Sequence, residues 1–216
     1  MIKRQRRECR EGRLYMTWLL NQLQQNSEKN GTEFLIQRQR IDSFHEIGGK
    51  YDCIINCTGL GARHLANDDS MMPIRGHVLR VQAPWIRYHI EAEGDDESQI
   101  CYIIPNSETI VIGGTKQVGD EDPVPRDDDR RAILERAAKA HPSLGAAKIV
   151  GEWVGFRPGR PSVRLETENT VNNDNDIHGK RPLIIHNYGH GGSGLTLAWG
   201  CAGGVVRLVR SCHTTR

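Results

Sequence analysis

The fold is decided by one stretch near the carboxyl end of the chain, residues 183–194, which reads LIIHNYGHGGSG. It begins with three consecutive apolar residues, which predict a strand. Glycines follow in the spacing Gly189-x-Gly191-x-x-Gly194, and apolar residues then recur every three to four positions through residues 195–209. This pattern predicts a strand, a glycine turn and a helix.

The glycine spacing alone leaves two interpretations open. The free N–H groups at the start of a helix attract electron-rich ligand atoms, so the turn is a candidate cofactor contact. The alternative is that the glycines only permit a tight turn and close packing. Arg207 and Arg210 occupy the region where a pyrophosphate site would be followed by an acidic ribose ligand, which argues against an ordinary site of that kind.

The rest of the chain predicts the layers around this strand. Residues 11–25 have helical spacing, residues 34–41 alternate as a strand does, and residues 51–59 form a short apolar strand that runs into a glycine turn. Residues 76–157 contain β-rich runs and a hairpin signal. We therefore expect a mixed α/β (α+β) fold, in which both ends of the chain form one layer and a mostly antiparallel sheet is inserted between them.

Composition excludes several classes of protein. The chain has 216 residues, with 29 Lys and Arg against 27 Asp and Glu, so no large cationic field would attract nucleic acid. Mean hydropathy is −0.56 and no apolar run reaches the length of a membrane span. His186 and His190 lie four residues apart, but glycine separates them, and we expect no metal site.

A second segment places two arginines in a rigid frame. Residues 155–161 read GFRPGRP, and each proline restricts both its own backbone and that of the arginine before it. A fixed guanidinium suits bidentate capture of a carboxylate. The alternative is a structural arginine that is paired to a loop, and the spacing does not decide between the two.

Together these motifs resemble those of the D-amino-acid oxidase family, flavoenzymes that act on D-amino acids and D-aspartate. The glycine stretch and the segment Trp199-Gly200-Cys201-Ala202 carry much of the resemblance. Further matches occur in the same order along residues 11–210: Asn56-Cys57-Thr58-Gly59, Pro73-Ile74-Arg75-Gly76-His77, Gln82-Ala83-Pro84-Trp85, Tyr102-Ile103-Ile104-Pro105, Gly113-Gly114-Thr115 and Gly155-Phe156-Arg157-Pro158.

The resemblance implies a fold, a cofactor and a reaction. The chain would be the C-terminal part of a FAD-binding Rossmann-like domain with an inserted, mostly antiparallel substrate-binding sheet. The implied cofactor is FAD, and the implied reaction is oxidative deamination of D-amino acids to a 2-oxo acid, ammonia and hydrogen peroxide. The family's N-terminal Gly-x-Gly-x-x-Gly unit does not precede Glu11. The alternative is therefore a catalytically inactive, N-terminally truncated remnant that lacks the ADP-binding unit.

The resemblance also implies a domain organisation. Residues 1–10 would be an unrelated or disordered tail, and residues 11–66 a remnant of the FAD-binding domain. Residues 67–172 would form the substrate-binding domain, and residues 173–212 would return to the FAD-binding domain with the glycine turn and a C-terminal helix.

Site residues are carried over from the family by position, with no acid, base or nucleophile among them. Arg157 would clamp the substrate α-carboxylate, the Tyr102 hydroxyl would donate to the same group, and the Gly192 backbone would hold the amino end. The cofactor would contact eight positions, namely Ile41, Thr58, Gly191, Gly192, Ser193, Gly194, Leu195 and Thr196.

Lys116 follows Gly-Gly-Thr. The resemblance implies that the D-aspartate-selective branch of the family has an arginine at this position, facing the second carboxylate of the substrate. Lysine keeps the positive charge, so we expect a preference for acidic D-amino acids. The bland alternative is a solvated lysine at a strand end. The expected partners are a D-amino acid and O₂, without nucleic acid or membrane, and a homodimer is compatible with the resemblance. The location is expected to be peroxisomal by resemblance, or cytoplasmic because residues 213–216 form no Ser-Lys-Leu-type tripeptide.

Overall fold

The computed structural model describes residues 2–5, 11–93, 100–168 and 182–214. Its strands are β1 (Ile2–Gln5), β2 (Cys53–Asn56), β3 (Met72–Gln82), β4 (His89–Glu93), β5 (Ile100–Pro105), β6 (Ile110–Gly113), β7 (Gln117–Val118), β8 (Lys148–Gly159), β9 (Arg164–Thr167) and β10 (Leu183–Tyr188). Its α-helices are α1 (Gly12–Asn30), α2 (His45–Gly48), α3 (Ala62–Leu65), α4 (Asp127–Ala140) and α5 (Gly194–Thr214). Short 3₁₀ turns cover Gly59–Gly61, Pro142–Ala146 and Gly191–Ser193.

The chain divides into two compact units. The first contains residues 1–37 and 75–156, and the second contains residues 38–74 and 157–216. We refer to them as the sheet unit and the turn unit. The division assigns no function to either unit, so FAD binding by residues 11–66 and 173–212 and substrate binding by residues 67–172 remain predictions.

The sheet unit is built on a sheet with the strand order β1-β4-β5-β6-β3-β7, and β8 also pairs with β3. The pairs β1/β4, β4/β5, β5/β6 and β3/β6 are antiparallel. Helix α4 begins at three aspartates, whose charges favour the positive end of a helix, and it buries Ile133 and Ala137 against strand residues such as Leu79 and Ile112. The inserted antiparallel sheet that the sequence predicts is confirmed.

The turn unit contains a smaller sheet with the order β2-β10-β9. Strands β2 and β10 are parallel, with Ile54 opposite Ile184, while β9 is antiparallel to β10. Strand β10 leads through the 3₁₀ turn Gly191–Ser193 into α5, so the predicted strand, glycine turn and helix are confirmed.

Two segments at the amino end differ from the structure that the sequence predicts for them. Residues 34–41, predicted as a strand, form no regular element, because no strand of the described sheets pairs with them and their alternation leaves Leu35 and Ile36 about two-thirds exposed. Within the predicted tail, Ile2–Gln5 pair with β4, and the other residues of that tail lie outside the described part. Across the described ranges, no helix combines the length and apolar character that crossing a membrane requires.

Candidate active site

The carboxyl ends of β2 and β10 meet at one edge of the small sheet. The two strands are parallel and in register, with Asn56 opposite His186, so the residues that follow each strand emerge at the same edge. Thr58 follows β2, and the glycine turn follows β10. Gly189 and Gly191 have φ angles of +85° and +55°, which is the left-handed region that glycine adopts without strain. This edge therefore carries Thr58 and the turn, two of the predicted cofactor contacts.

A buried amide fixes Thr58. The Thr58 N–H and hydroxyl both donate to Asn56 Oδ1, at 3.2 and 2.7 Å. Because Oδ1 is thereby the acceptor side of the amide, Nδ2 faces His186 and donates to its Nδ1 at 3.1 Å. The His186 ring consequently accepts at Nδ1 and carries its proton at Nε2. Sequence motifs flagged Thr58, but the role of Asn56 depends on a residue 130 positions away.

His186 is completely buried, with Nε2 at 3.2 Å from Glu168 Oε2. Burial lowers the pKa of His186 and the nearby Arg164 cation lowers it further, while the Glu168 carboxylate opposes both effects. The imidazole is therefore held neutral, in agreement with the tautomer that Asn56 selects.

The arginine–proline segment lies along the glycine turns of the same unit. A Cβ placed on Gly192 would stand 3.6 Å from Arg157 Cδ and 3.7 Å from Arg157 Nε, so the arginine side chain lies against the glycine turn. A Cβ on Gly59 would stand 3.6 Å from Pro158 Cβ, so the proline packs on the turn after β2. Arg157 is thereby braced between the two turns.

The remaining cofactor candidates lie in the same unit. Gly192, Ser193, Gly194, Leu195 and Thr196 are exposed at the start of α5, and Gly191 is half-buried with open space where a Cβ would point. Ile41 is half-buried in an irregular segment of residues 32–42. Exposed backbone and apolar side chains such as Leu195 at a helix start give a surface with N–H donors beside an apolar wall.

Tyr102 and Lys116 belong to the sheet unit. The ring of half-buried Tyr102 fills the space beside Gly113 and Gly114, where a Cβ would come within 2.6 Å of the phenol oxygen. Lys116 is exposed two residues further along, after the buried Thr115, whose hydroxyl accepts from the His77 N–H at 2.8 Å. Tyr102 lies opposite Gly113 in the β5/β6 ladder, and Lys116 follows the end of β6 by three residues.

Sequence reasoning missed one buried carboxylate in the turn unit. Asp68 accepts from Tyr188 Oη at 2.8 Å and from Arg160 Nε at 2.9 Å, and it is within ion-pair distance of Arg164. Burial alone would raise the pKa of Asp68, but hydrogen bonds from Ser70, Tyr188 and Arg160 outweigh it and hold the pKa well below the usual range of a carboxyl. Arg160 and Tyr188 lie 92 and 120 positions from Asp68 in the sequence, so no local motif predicts this cluster.

Comparison with known proteins now adds a family to this geometry. The sequence model of the FAD dependent oxidoreductase family (DAO) matches residues 8–208. The chain belongs to this family. D-aspartate oxidase of Homo sapiens is 38% identical over 203 residues, which are 94% of this chain and 55% of the human protein. D-aspartate oxidase 1 of Caenorhabditis elegans is 39% identical over 203 residues, covering 93% of this chain and 57% of the relative.

A bacterial relative, D-amino-acid oxidase of Rubrobacter xylanophilus, is 38% identical over 188 residues, covering 87% of this chain and 53% of its own length. The chain therefore spans a little over half the length of the curated relatives it matches. Among solved structures, glycine oxidase from Geobacillus kaustophilus matches with a TM-score of 0.60 and 23% identity, over 74% of this chain and 41% of that one. This likeness shows the fold alone.

The residues of the turn unit fit the cofactor that the family's name implies. Gly191 leaves open space, residues 192–197 are exposed beside it, and the hydroxyl oxygen of exposed Thr58 keeps its acceptor capacity while donating to Asn56. A flavin needs an apolar wall for its rings and N–H donors for its electron-rich edge, and both are present. Within the described residues, no group of three or more His, Cys, Asp and Glu could hold a metal ion.

Proposed function

We propose that this chain takes part in FAD-dependent oxidative deamination of acidic D-amino acids such as D-aspartate. A D-amino acid, O₂ and water would yield a 2-oxo acid, ammonium and hydrogen peroxide. One observation carries the proposal: Arg157 lies against Gly192 in the glycine turn, so a carboxylate-binding group stands beside the surface that fits a flavin. The names of the relatives support the substrate class, but they belong to proteins almost twice as long.

In this proposal the chain contributes position and charge. When bound, FAD supplies the acceptor for the two electrons of the substrate α-carbon and passes them to O₂. The Arg157 guanidinium would hold the α-carboxylate through two parallel N–H donors, since Pro158 restricts the arginine backbone. The Gly192 backbone would orient the amino group, and the N-terminus of α5 would favour negative charge on the bound ring. No proton-transferring side chain is required of the protein.

Substrate choice is proposed to reside in the sheet unit. The Tyr102 hydroxyl would donate to the α-carboxylate, and the Lys116 ammonium would pair with a side-chain carboxylate. Lysine offers a point charge rather than a planar fork, so it would favour an acidic side chain without fixing its plane.

The proposal is tested by loading the purified chain with FAD and measuring two signals. We expect the absorbance bands of bound flavin and release of peroxide with D-aspartate, but not with L-aspartate. Arg157→Ala should lower kcat/KM by about 100-fold or more, because two charge-assisted hydrogen bonds are lost. Arg131→Ala, at an exposed ion pair on α4, is the matched control and should leave kcat/KM unchanged.

A colourless, inactive chain would instead support the alternative of an inactive remnant. Equal losses in Arg157→Ala and Arg131→Ala would contradict the role of Arg157.

For substrate choice, Lys116→Ala should reduce turnover of D-aspartate about tenfold more than turnover of D-alanine, because one charged contact is lost only with the acidic substrate. Equal losses with both substrates would refute the role of Lys116 in substrate choice.

Peroxisomal or cytoplasmic location and a homodimer remain predictions, to be checked by imaging a tagged chain and by sedimentation.

A further inference from the structure

Asp68 is a carboxylate whose acceptor positions are all used. Ser70 donates to Oδ1 through its N–H at 3.1 Å and through its hydroxyl. Tyr188 and Arg160 donate to Oδ2 at 2.8 and 2.9 Å. An ionised carboxylate offers about four lone-pair positions, so these four bonds saturate it. Asp68 is 8% exposed, and Asn67 before it takes a φ of +48°, so the chain adopts a left-handed turn to present this side chain.

Two of the Asp68 partners belong to the segments that form the candidate active site. Tyr188 is the last residue of β10 and immediately precedes Gly189. Arg160 lies three residues after Arg157 in the arginine–proline segment. A Cβ on Gly189 would come within 2.9 Å of Arg160 Cβ and Cδ, so the stem of Arg160 crosses the glycine turn before its head group reaches Asp68.

The charged and polar groups around Asp68 are arranged so that its carboxylate connects the arginine–proline segment to the end of β10. Arg164 Nη1 donates to Tyr188 Oη at 2.7 Å, so the tyrosine hydroxyl accepts a hydrogen bond from the arginine while it donates one to Asp68. Arg160 also donates to the Ser162 carbonyl at 2.8 Å, which holds the end of the segment. Without the carboxylate, two guanidinium groups and a phenol would face one another in a largely buried space.

We propose that Asp68 is a positioning residue for the substrate-binding Arg157 and for the glycine turn, acting through Arg160 and Tyr188. As a statement about catalysis this rests on the proposed function, because the roles of Arg157 and the turn do. As a statement about the turn itself it does not, and the two are tested separately.

The first experiment follows amide hydrogen exchange in Asp68→Asn. An amide cannot accept from Ser70 and from Arg160 and Tyr188 together, so we expect exchange in residues 157–160 and 189–193 to accelerate about tenfold. Asp69→Asn is the matched control, because it makes the same change at the exposed neighbouring position, and exchange should not change. Unchanged exchange in Asp68→Asn, or equal acceleration in both variants, would overturn the proposal.

A second pair of variants covers the case in which Asp68→Asn does not fold. Tyr188→Phe and Ser70→Ala each remove one hydroxyl bond to the same carboxylate, but only Tyr188 adjoins the glycine turn. We expect amide exchange at residues 189–193 to accelerate in Tyr188→Phe and to keep its wild-type rate in Ser70→Ala. Equal behaviour of the two would show that Asp68 contributes only general stability.

The last experiment separates positioning from loss of folded protein. In FAD-loaded enzyme, Asp68→Asn should raise KM for D-aspartate about tenfold, and it should weaken succinate binding, followed by the flavin spectrum, by a similar factor. Succinate is chosen because it lacks an amino group and cannot be deaminated. A merely destabilised enzyme would lose kcat at constant KM, which would count against positioning. If the wild-type chain takes up no flavin, the proposed function fails while the exchange results still decide the role of Asp68.

Discussion

The sheet unit and the turn unit each contain an arginine within two residues of a proline and a glycine, but the two arginines have different surroundings. In the sheet unit, Arg75 of the segment PIRG is completely buried and donates to Gln117 Oε1, Asp129 Oδ2 and the carbonyls of Asp122 and Val124, all within 2.6–2.7 Å. In the turn unit, Arg157 of the segment FRPG is half-buried and lies against Gly192. A local motif of arginine, proline and glycine therefore does not by itself define the surroundings of the arginine, because Arg75 is completely buried while Arg157 is half-buried beside the glycine turn.

The largest effect is expected from breaking the buried arginine. Arg75→Met would remove the arginine donor from Asp129 Oδ2, Gln117 Oε1 and two backbone carbonyls. Removing one partner of a buried pair costs about 3–5 kcal/mol of unfolding free energy. Urea denaturation followed by tryptophan fluorescence measures this loss. Arg131→Ala, at an exposed ion pair, should cost less than about 0.5 kcal/mol. A loss below about 1 kcal/mol in Arg75→Met would show that the sheet unit does not depend on this group.

The same contrast explains what the sequence could predict. Strand β10, its glycine turn and α5 were predictable, because a local apolar run and glycine spacing determine them. The link from Arg75 to Asp129 spans 54 positions, and the links from Asp68 span 92 and 120, so no local pattern reveals them. The family motifs marked Arg157 and Thr58, but the braces behind them, Asp68 and Asn56, arise only from the tertiary fold.

Segment 34–41 failed as a predicted strand for the converse reason. Alternation of side chains is a local property, whereas a strand also needs a neighbour that completes its ladder of backbone hydrogen bonds. The described sheets provide none for these residues. Local patterns therefore predict an element well only when the sequence also supplies its partner, as β2 does for β10.

An intermediate effect is expected from the glycine turn. Gly189→Ala would place a side chain at φ +85° and push its Cβ into the stem of Arg160. Left-handed backbone costs an L-residue about 1–2 kcal/mol, and displacement of Arg160 adds to it, so we expect about 2–3 kcal/mol in urea denaturation. Gly49→Ala in the same unit is the control, because Gly49 has a φ of −70° and open space around its Cβ position. Similar costs at both positions would contradict the close approach of Arg160.

The smallest effect concerns the pH dependence of the free energy of unfolding. The turn unit buries a neutral imidazole, whereas the sheet unit buries the charged Arg75. Burial lowers the pKa of His186 in the folded chain below the value of about 6.5 that it has when unfolded. The unfolded chain therefore binds the proton more readily, and the free energy of unfolding should fall as pH drops below 6.5, by at most about 1.4 kcal/mol per pH unit.

Urea denaturation at pH 7.0, 6.0 and 5.5 measures this slope against His186→Gln. Glutamine does not titrate, and its carbonyl can still accept from Asn56 Nδ2, so the variant should lose the part of the slope that His186 causes while keeping the buried contact. Asp68 and Glu152 do not contribute to this slope, because their pKa values are lowered in the folded chain and they lose their stabilising charge only at lower pH. An identical slope in wild type and variant would mean that His186 is accessible to protons in the folded chain, and the neutral tautomer selected by Asn56 would then be wrong.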